Sequence, residues 1–125
     1  MDELNELLEQ LGKRGYLWHG YRIDRHGPDV NGFVCRWDNC ADVLVMTSAD
    51  DGVHAYRTPT SATTDVFVPT HVLWWYGHNP VWTLRALLTL PPPDHQDAPS
   101  VLVPAPPGTG VPGERMPVRL RRRGH

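Results

Sequence analysis

The distribution of proline is the feature that most constrains what this chain can fold into. Nine of its 13 prolines follow residue 90, and with four glycines they account for 13 of the last 35 residues. That share exceeds the roughly 25–30% that is typical of low-complexity sequence, and each proline fixes φ and removes a backbone donor. The composition predicts a compact domain over residues 1–90 and a basic Pro/Gly-rich tail over 91–125 that is largely irregular or disordered.

A leucine stripe predicts a helix from Asp2 to Arg14. Leucines recur along it at spacings of three and four residues, which places them on one helical face: Leu4, Leu7, Leu8 and Leu11. Asp2 is a suitable N-cap, and Gly15 can end the helix in a left-handed conformation.

Four segments with alternating or continuous apolar residues predict strands, and the intervening turns are short. They are Tyr16–Asp24, Phe33–Trp37, Ala41–Ser48 and Val53–Thr58. The third is the most apolar and is expected at the centre of the sheet. Residues 25–32 contain Gly-Pro and Asn-Gly pairs and are predicted to be a loop. The short connections favour an antiparallel meander.

The stretch from Thr70 to Leu90 contains three of the five tryptophans. Its apolar run from Val72 to Tyr76 fits either a strand or the start of helical structure. Asn79 followed by Pro80 is a helix start, and three prolines stop that helix after Leu90. The predicted fold class is therefore α+β: an N-terminal helix, an antiparallel sheet of four to five strands, a second helix near 80–90, and an extended Pro-rich tail.

Charge and hydropathy argue against several classes of protein. The net charge is −2, so no overall field favours nucleic acid or a membrane. The N-terminus is acidic and has no leader pattern, and no apolar run approaches the ~20 residues that span a bilayer. We expect a cytoplasmic protein that does not associate with membranes.

Cys35 and Cys40 flank the predicted turn between the second and third strands. If the loop comprises residues 36–39, the two cysteines lie opposite each other and can form a disulfide. If the turn is only Asp38-Asn39, Trp37 pairs with Cys40 and no bridge forms. A reducing compartment favours two free thiols.

No motif in the chain predicts a metal site, a cofactor or a catalytic centre. The seven histidines show no metal-ligand spacing, and neither a nucleophile elbow nor a phosphate-binding glycine loop is present. The enzyme class is therefore disfavoured. The remaining catalytic candidates are His54, His71 and Asp42, chosen by residue type. Asp42 lies between apolar residues of the third predicted strand, where it is either a buried carboxylate or on the solvent-facing side of that strand.

The aromatic cluster Trp74, Trp75, Tyr76 and Trp82 is the candidate interaction site. Successive strand residues point to opposite faces, so one of the two adjacent tryptophans is expected to face outward. Tryptophan is enriched at binding hot spots. The alternative is that the leucine helix or the tail covers it.

The tail carries a small basic patch that includes Arg119, Arg121, Arg122 and Arg123. Arginine pairs well with phosphate, so weak nucleic-acid binding is a third hypothesis. The first hypothesis is a non-catalytic interaction or accessory module with a protein partner or a second copy of itself. The second is a small enzyme or ligand-binding domain whose cleft uses His54, His71 and a carboxylate.

Overall fold

The computed structural model describes residues 2–22, 29–47, 52–61, 64–111 and 116–117. Its elements, in chain order, are α1 (Glu3–Lys13), β1 (Leu17–Arg22), β2 (Asp29–Arg36), β3 (Cys40–Thr47), β4 (Val53–Pro59), β5 (His71–Val72), β6 (Trp74–His78), α2 (Pro80–Thr89), β7 (Val103–Pro104) and β8 (Met116–Pro117). The predicted α+β fold class, with a helix at the N-terminus and a second helix near 80–90, is confirmed.

The main sheet has the strand order β6-β4-β3-β2-β1-β8, and its neighbouring strands are antiparallel. The predicted meander of β1 to β4 is confirmed, and β3 lies inside the sheet as expected. The prediction of a loop over 25–32 is wrong for residues 29–32, which form the first half of β2. Val30 and Gly32 pair with Thr47 and Val45 on β3, and burial of Val30 outweighs the turn preference of the Asn-Gly pair.

One face of the sheet is covered by the two helices. Asp2 caps α1 by accepting from the backbone N of Leu4, and Asn79 caps α2 by accepting from the backbone N of Trp82. The core on this face combines leucines of both helices with side chains of β3 and β4, namely Leu7, Leu11, Leu84, Leu87, Leu88, Leu44, Val53 and Ala55. Both predicted helix starts are thereby confirmed.

The opposite face is covered by two segments that contain little regular structure, residues 64–72 and 103–111. Their backbones are joined, since Val111 N donates to Phe67 O at 2.8 Å and Ala105 N donates to Thr70 O at 2.9 Å. The two-stranded pair β5–β7 extends this link. Val66, Phe67, Val72 and Val111 are buried there against Val30, Val43, Val45 and Tyr56. The sheet therefore lies between a helical layer and an irregular layer.

Part of the proline-rich sequence thus contributes to the core. Val111 is 3% exposed, whereas Val101, Leu102 and Val103 are exposed at the surface. Between residues 91 and 111, the structure contains one strand of two residues, β7. The predicted domain boundary at residue 90 stays a prediction, and the arginine-rich end beyond residue 117 lies outside the described residues.

Candidate functional site

The edge strand β6 carries three of the four residues predicted to mediate interaction. Within the described part of the chain it pairs with β4 and with no other strand, so its outer side forms an edge of the main sheet. The run from 72 to 76 is extended and not helical, and it is divided between two strands, since Val72 ends β5 and residues 74–76 belong to β6. Because the side chains of β6 alternate, Trp75 lies on the face away from the helices, whereas Trp74 and Tyr76 lie on the helical face.

Trp75 is held in one orientation and still remains 39% exposed. Its ring stacks on His54, with centroids 6.1 Å apart and an interplanar angle of 22°. It also covers Gly77, where a Cβ would lie 2.5 Å from the Trp75 ring. Glycine at position 77 therefore makes room for the indole, which presents a rigid apolar surface at the edge of the sheet.

On the helical face, aromatic rings follow one another along β6. Trp74 and Tyr76 stack with centroids 6.3 Å apart and planes 8° from parallel, and His78 follows Tyr76 at 6.3 Å. A shallow groove of about 330 Å³ runs between these rings and α2, and Pro91 and Pro99 border it. The chain after α2 thus passes along the aromatic row.

Trp82 lies apart from the other three residues, in the first turn of α2. It is 52% exposed, and the guanidinium carbon of Arg85 lies 5.3 Å from its ring centroid. Arg85 also forms an ion pair with Glu3 of α1. The structure therefore brings Trp74, Trp75 and Tyr76 together on β6 and places Trp82 on a separate surface.

His54 connects the sheet to the C-terminal covering segment. Its ring stacks on Tyr56, with centroids 5.8 Å apart, and also on Trp75. The backbone N of Gly110 donates to His54 Nε2 at 2.8 Å, which requires that nitrogen to be unprotonated. Burial lowers the pKa of His54 from 6.5 to about 4, so the ring is neutral at physiological pH. Gly110 has φ 91°, and a Cβ there would lie 2.2 Å from Phe67 O.

Asp42 forms a buried ion pair with Arg57. Arg57 Nε donates to Oδ1 at 2.6 Å and Arg57 Nη2 donates to Oδ2 at 2.8 Å, while Trp37 Nε1 donates to Oδ2 at 3.0 Å. Both charged residues are nearly inaccessible to solvent. Burial alone would lower the pKa of Arg57, but the hydrogen bonds and charge of Asp42 outweigh it and raise that pKa. Asp42 therefore anchors a structural pair between β3 and β4.

The three catalytic candidates are not brought together. Asp42 lies on the helical face of the sheet, and His54 lies on the opposite face, as the pairings Asp42–Arg57 and Val45–His54 show. His71 is exposed on β5, where its Nδ1 lies 3.2 Å from Thr70 Oγ1. Sequence reasoning considered Asp42 as a buried carboxylate but missed its partner. The signal in the sequence was the period of two along β4, which places Arg57 on the same buried face as Val53 and Ala55.

The cysteines adopt the geometry in which Trp37 pairs with Cys40 and no disulfide forms. Trp37 N donates to Cys40 O at 2.8 Å and Cys35 pairs with Asp42, so Cys35 and Cys40 do not face each other and both are free. Burial raises the pKa of both thiols. For Cys35 the charge of Asp42 adds to that effect, so neither thiol is activated as a nucleophile.

Several classes of site have no counterpart in the described ranges. Residues 2–22, 29–47, 52–61, 64–111 and 116–117 contain no group of three or more His, Cys, Asp or Glu residues arranged to hold a metal ion. Among those residues, no helix has both the length and the apolar character needed to cross a membrane. The proposed phosphate contacts Arg119, Arg121, Arg122 and Arg123 lie outside the described residues, so nucleic-acid binding stays a prediction.

Comparison with protein families, with characterised proteins and with solved structures finds no match to this chain.

Proposed function

We propose that this protein is a non-catalytic interaction module that binds an extended segment of a partner protein along the outer side of β6. The observation that carries this proposal is that the outer side of β6 pairs with no strand among the described residues. Natural sheets protect their edges with lysine, proline, bulges or a covering element. The sequence of β6, Trp74 to His78, contains no proline, lysine, arginine or carboxylate.

The outermost strands at the two ends of the main sheet, β6 and β8, differ in their residues. At the other end the described structure places β8, a two-residue strand that contains Pro117 and pairs with β1. Proline cannot donate to a neighbouring strand and is therefore typical of the outermost strand of a sheet. At the β6 end, the backbone N of His78 donates to the side chain of Thr83, at Oγ1, over 3.1 Å. The asymmetry favours β6 as the edge that receives a ligand.

The chemistry of the partner follows from the residues that border this edge. An added strand would form backbone hydrogen bonds with β6 and place alternate side chains beside Trp75 on one face and Tyr76 on the other. β6 has aromatic surface on both faces and no formal charge, and Asp97 borders the groove beside Trp74 and Tyr76. The fitting segment is therefore extended, free of acidic side chains and rich in apolar or β-branched side chains. Trp75 is the expected anchor because its ring is rigid and partly exposed.

We place this module in the cytoplasm, where the free thiols of Cys35 and Cys40 remain reduced. The alternative of a catalytic cleft built from His54, His71 and a carboxylate receives no support from geometry, because these side chains lie on separate surfaces of the described structure.

The test is a selection of random displayed peptides on the immobilised full chain, followed by binding measurements on two matched variants. Trp75→Lys places a charge at the β6 edge, whereas Leu17→Lys places the same charge on β1, where the native leucine is 67% exposed. We expect the selected peptides to be apolar and extended. They should bind the native chain and Leu17→Lys equally and lose about tenfold or more in affinity on Trp75→Lys.

Equal binding to all three proteins, or equal loss in both variants, would contradict the proposal, provided that circular dichroism shows each variant to be folded. Sedimentation of the unliganded protein tests whether the partner is a second copy of the chain or another protein. A dimer abolished by Trp75→Lys would show that a second copy of the chain, and not another protein, occupies the edge.

A further inference from the structure

A cavity on the helical face of the sheet lies apart from β6 and has no role in the proposed interaction. Its volume is about 220 Å³, and it opens where the C-terminal ends of α1 and α2 approach β2 and β3. Leu87, Leu90 and Pro92 form an apolar side, together with the ring of Trp37. A dry cavity of about 150 Å³ accommodates benzene, so this volume suits a single ring with a small substituent.

The polar end of the cavity is formed by Tyr16, Cys35 and Asp42. Asp42 already accepts hydrogen bonds from Arg57 and from Trp37. The Tyr16 hydroxyl and the Cys35 thiol, in contrast, have no hydrogen-bond partner within the described structure. Burial, with a contribution from Asp42, raises the pKa of both groups, so both remain protonated and can donate at neutral pH.

The charges around the cavity favour an anion. Arg14 lines the opening and uses one nitrogen, Nη1, to donate to Leu88 O at 2.7 Å, which leaves the rest of its guanidinium for a ligand. Behind Asp42, the guanidinium of Arg57 keeps one buried nitrogen, Nη1, without an acceptor among the described residues. Two arginines against one carboxylate give this end of the cavity a net positive charge.

We infer that this cavity binds a small apolar carboxylate of about the size of benzoate. The ring lies against Leu87 and Leu90, and the carboxylate accepts hydrogen bonds from Tyr16 and Arg14. A planar carboxylate matches the fork of a guanidinium. A bare inorganic anion would leave the apolar walls uncovered, and an ammonium compound would meet the arginines.

The test uses sodium benzoate as the probe and saturation-transfer NMR on the full chain, with benzamide and benzylamine as neutral and cationic controls of similar shape. Two variants are matched. Tyr16→Phe removes the hydroxyl in the cavity, and Tyr76→Phe removes a hydroxyl on β6. Leu90→Phe adds volume to the apolar wall and serves as an independent variant.

We expect benzoate to bind the native chain more tightly than either control compound. Its affinity should fall about tenfold on Tyr16→Phe, the loss of one hydrogen bond to a charged group. Tyr76→Phe should leave the affinity unchanged, and Leu90→Phe should abolish binding. Benzamide or benzylamine binding as tightly as benzoate would overturn the inference. So would no detectable transfer to benzoate, or an equal effect of the two tyrosine substitutions.

Discussion

Acidification should destabilise this protein through His54, and in the same direction through His19, whose pKa is also lowered by burial. The unfolded chain takes up a proton at His54 near pH 6.5, whereas burial lowers the pKa of the folded form to about 4. Between these two values the unfolded state binds more protons than the native state, so the free energy of unfolding falls as the pH falls. The stabilisation is complete above about pH 6.5 and is lost progressively down to about pH 4.

The size of the effect follows from the same two pKa values. A fall from 6.5 to about 4 corresponds to a loss of about 3 kcal/mol of stability at the acidic limit. The surroundings of His54 explain why the folded protein disfavours protonation of this ring. The ring is packed against Tyr56 and Trp75, and a proton on Nε2 would face the N–H of Gly110, which now donates to that atom.

The assay is urea denaturation at a series of pH values from neutral to about 4. The control variant is His54→Gln, because a glutamine oxygen can still accept from Gly110 N but does not titrate. We expect the native chain to lose about 3 kcal/mol more than the variant over this range. Parallel curves for the two proteins, differing by less than about 0.5 kcal/mol in their pH dependence, would refute the reasoning.

Three further substitutions test the packing described above. Asp42→Asn leaves the guanidinium of Arg57 buried without its counter-charge and should cost about 3–5 kcal/mol by urea denaturation; a loss under about 1 kcal/mol would show that the pair is dispensable. Gly77→Ala places a Cβ 2.5 Å from the Trp75 ring and should alter the near-UV circular dichroism and cost about 1–3 kcal/mol. Gly12→Ala lies on α1, where the added Cβ meets no described atom within 4 Å apart from the adjacent residues and backbone of its own helix, and should instead stabilise by about 0.5–1 kcal/mol. A higher free energy of unfolding for Gly77→Ala than for Gly12→Ala would contradict the account.

Local sequence signals accounted for most of the fold. The capping residues Asp2 and Asn79 predicted both helix starts, because a cap satisfies donors within its own turn. The first half of β2 was missed for the opposite reason. Asn31 and Gly32 favour a turn locally, and only the pairing with β3 makes them a strand.

The site was less accessible to sequence analysis because it depends on topology. Alternation predicted that Trp74 and Trp75 lie on opposite faces, but the edge position of β6 follows from its pairing with β4 across a gap of more than a dozen residues. Burial of Val111 depends equally on a distant contact, its hydrogen bond to Phe67. The cavity beside Asp42 draws on both helices and two strands, and no local pattern indicates such a meeting.

The most direct test of the proposed function is amide hydrogen exchange across β6, residues 74–78, with and without a saturating amount of a selected apolar peptide. The account predicts that these amides exchange faster than those of the central strand β3 in the free protein and become protected when the peptide binds. Protection confined to other strands, with the exchange of residues 74–78 unchanged, would contradict the claim that β6 is the binding edge.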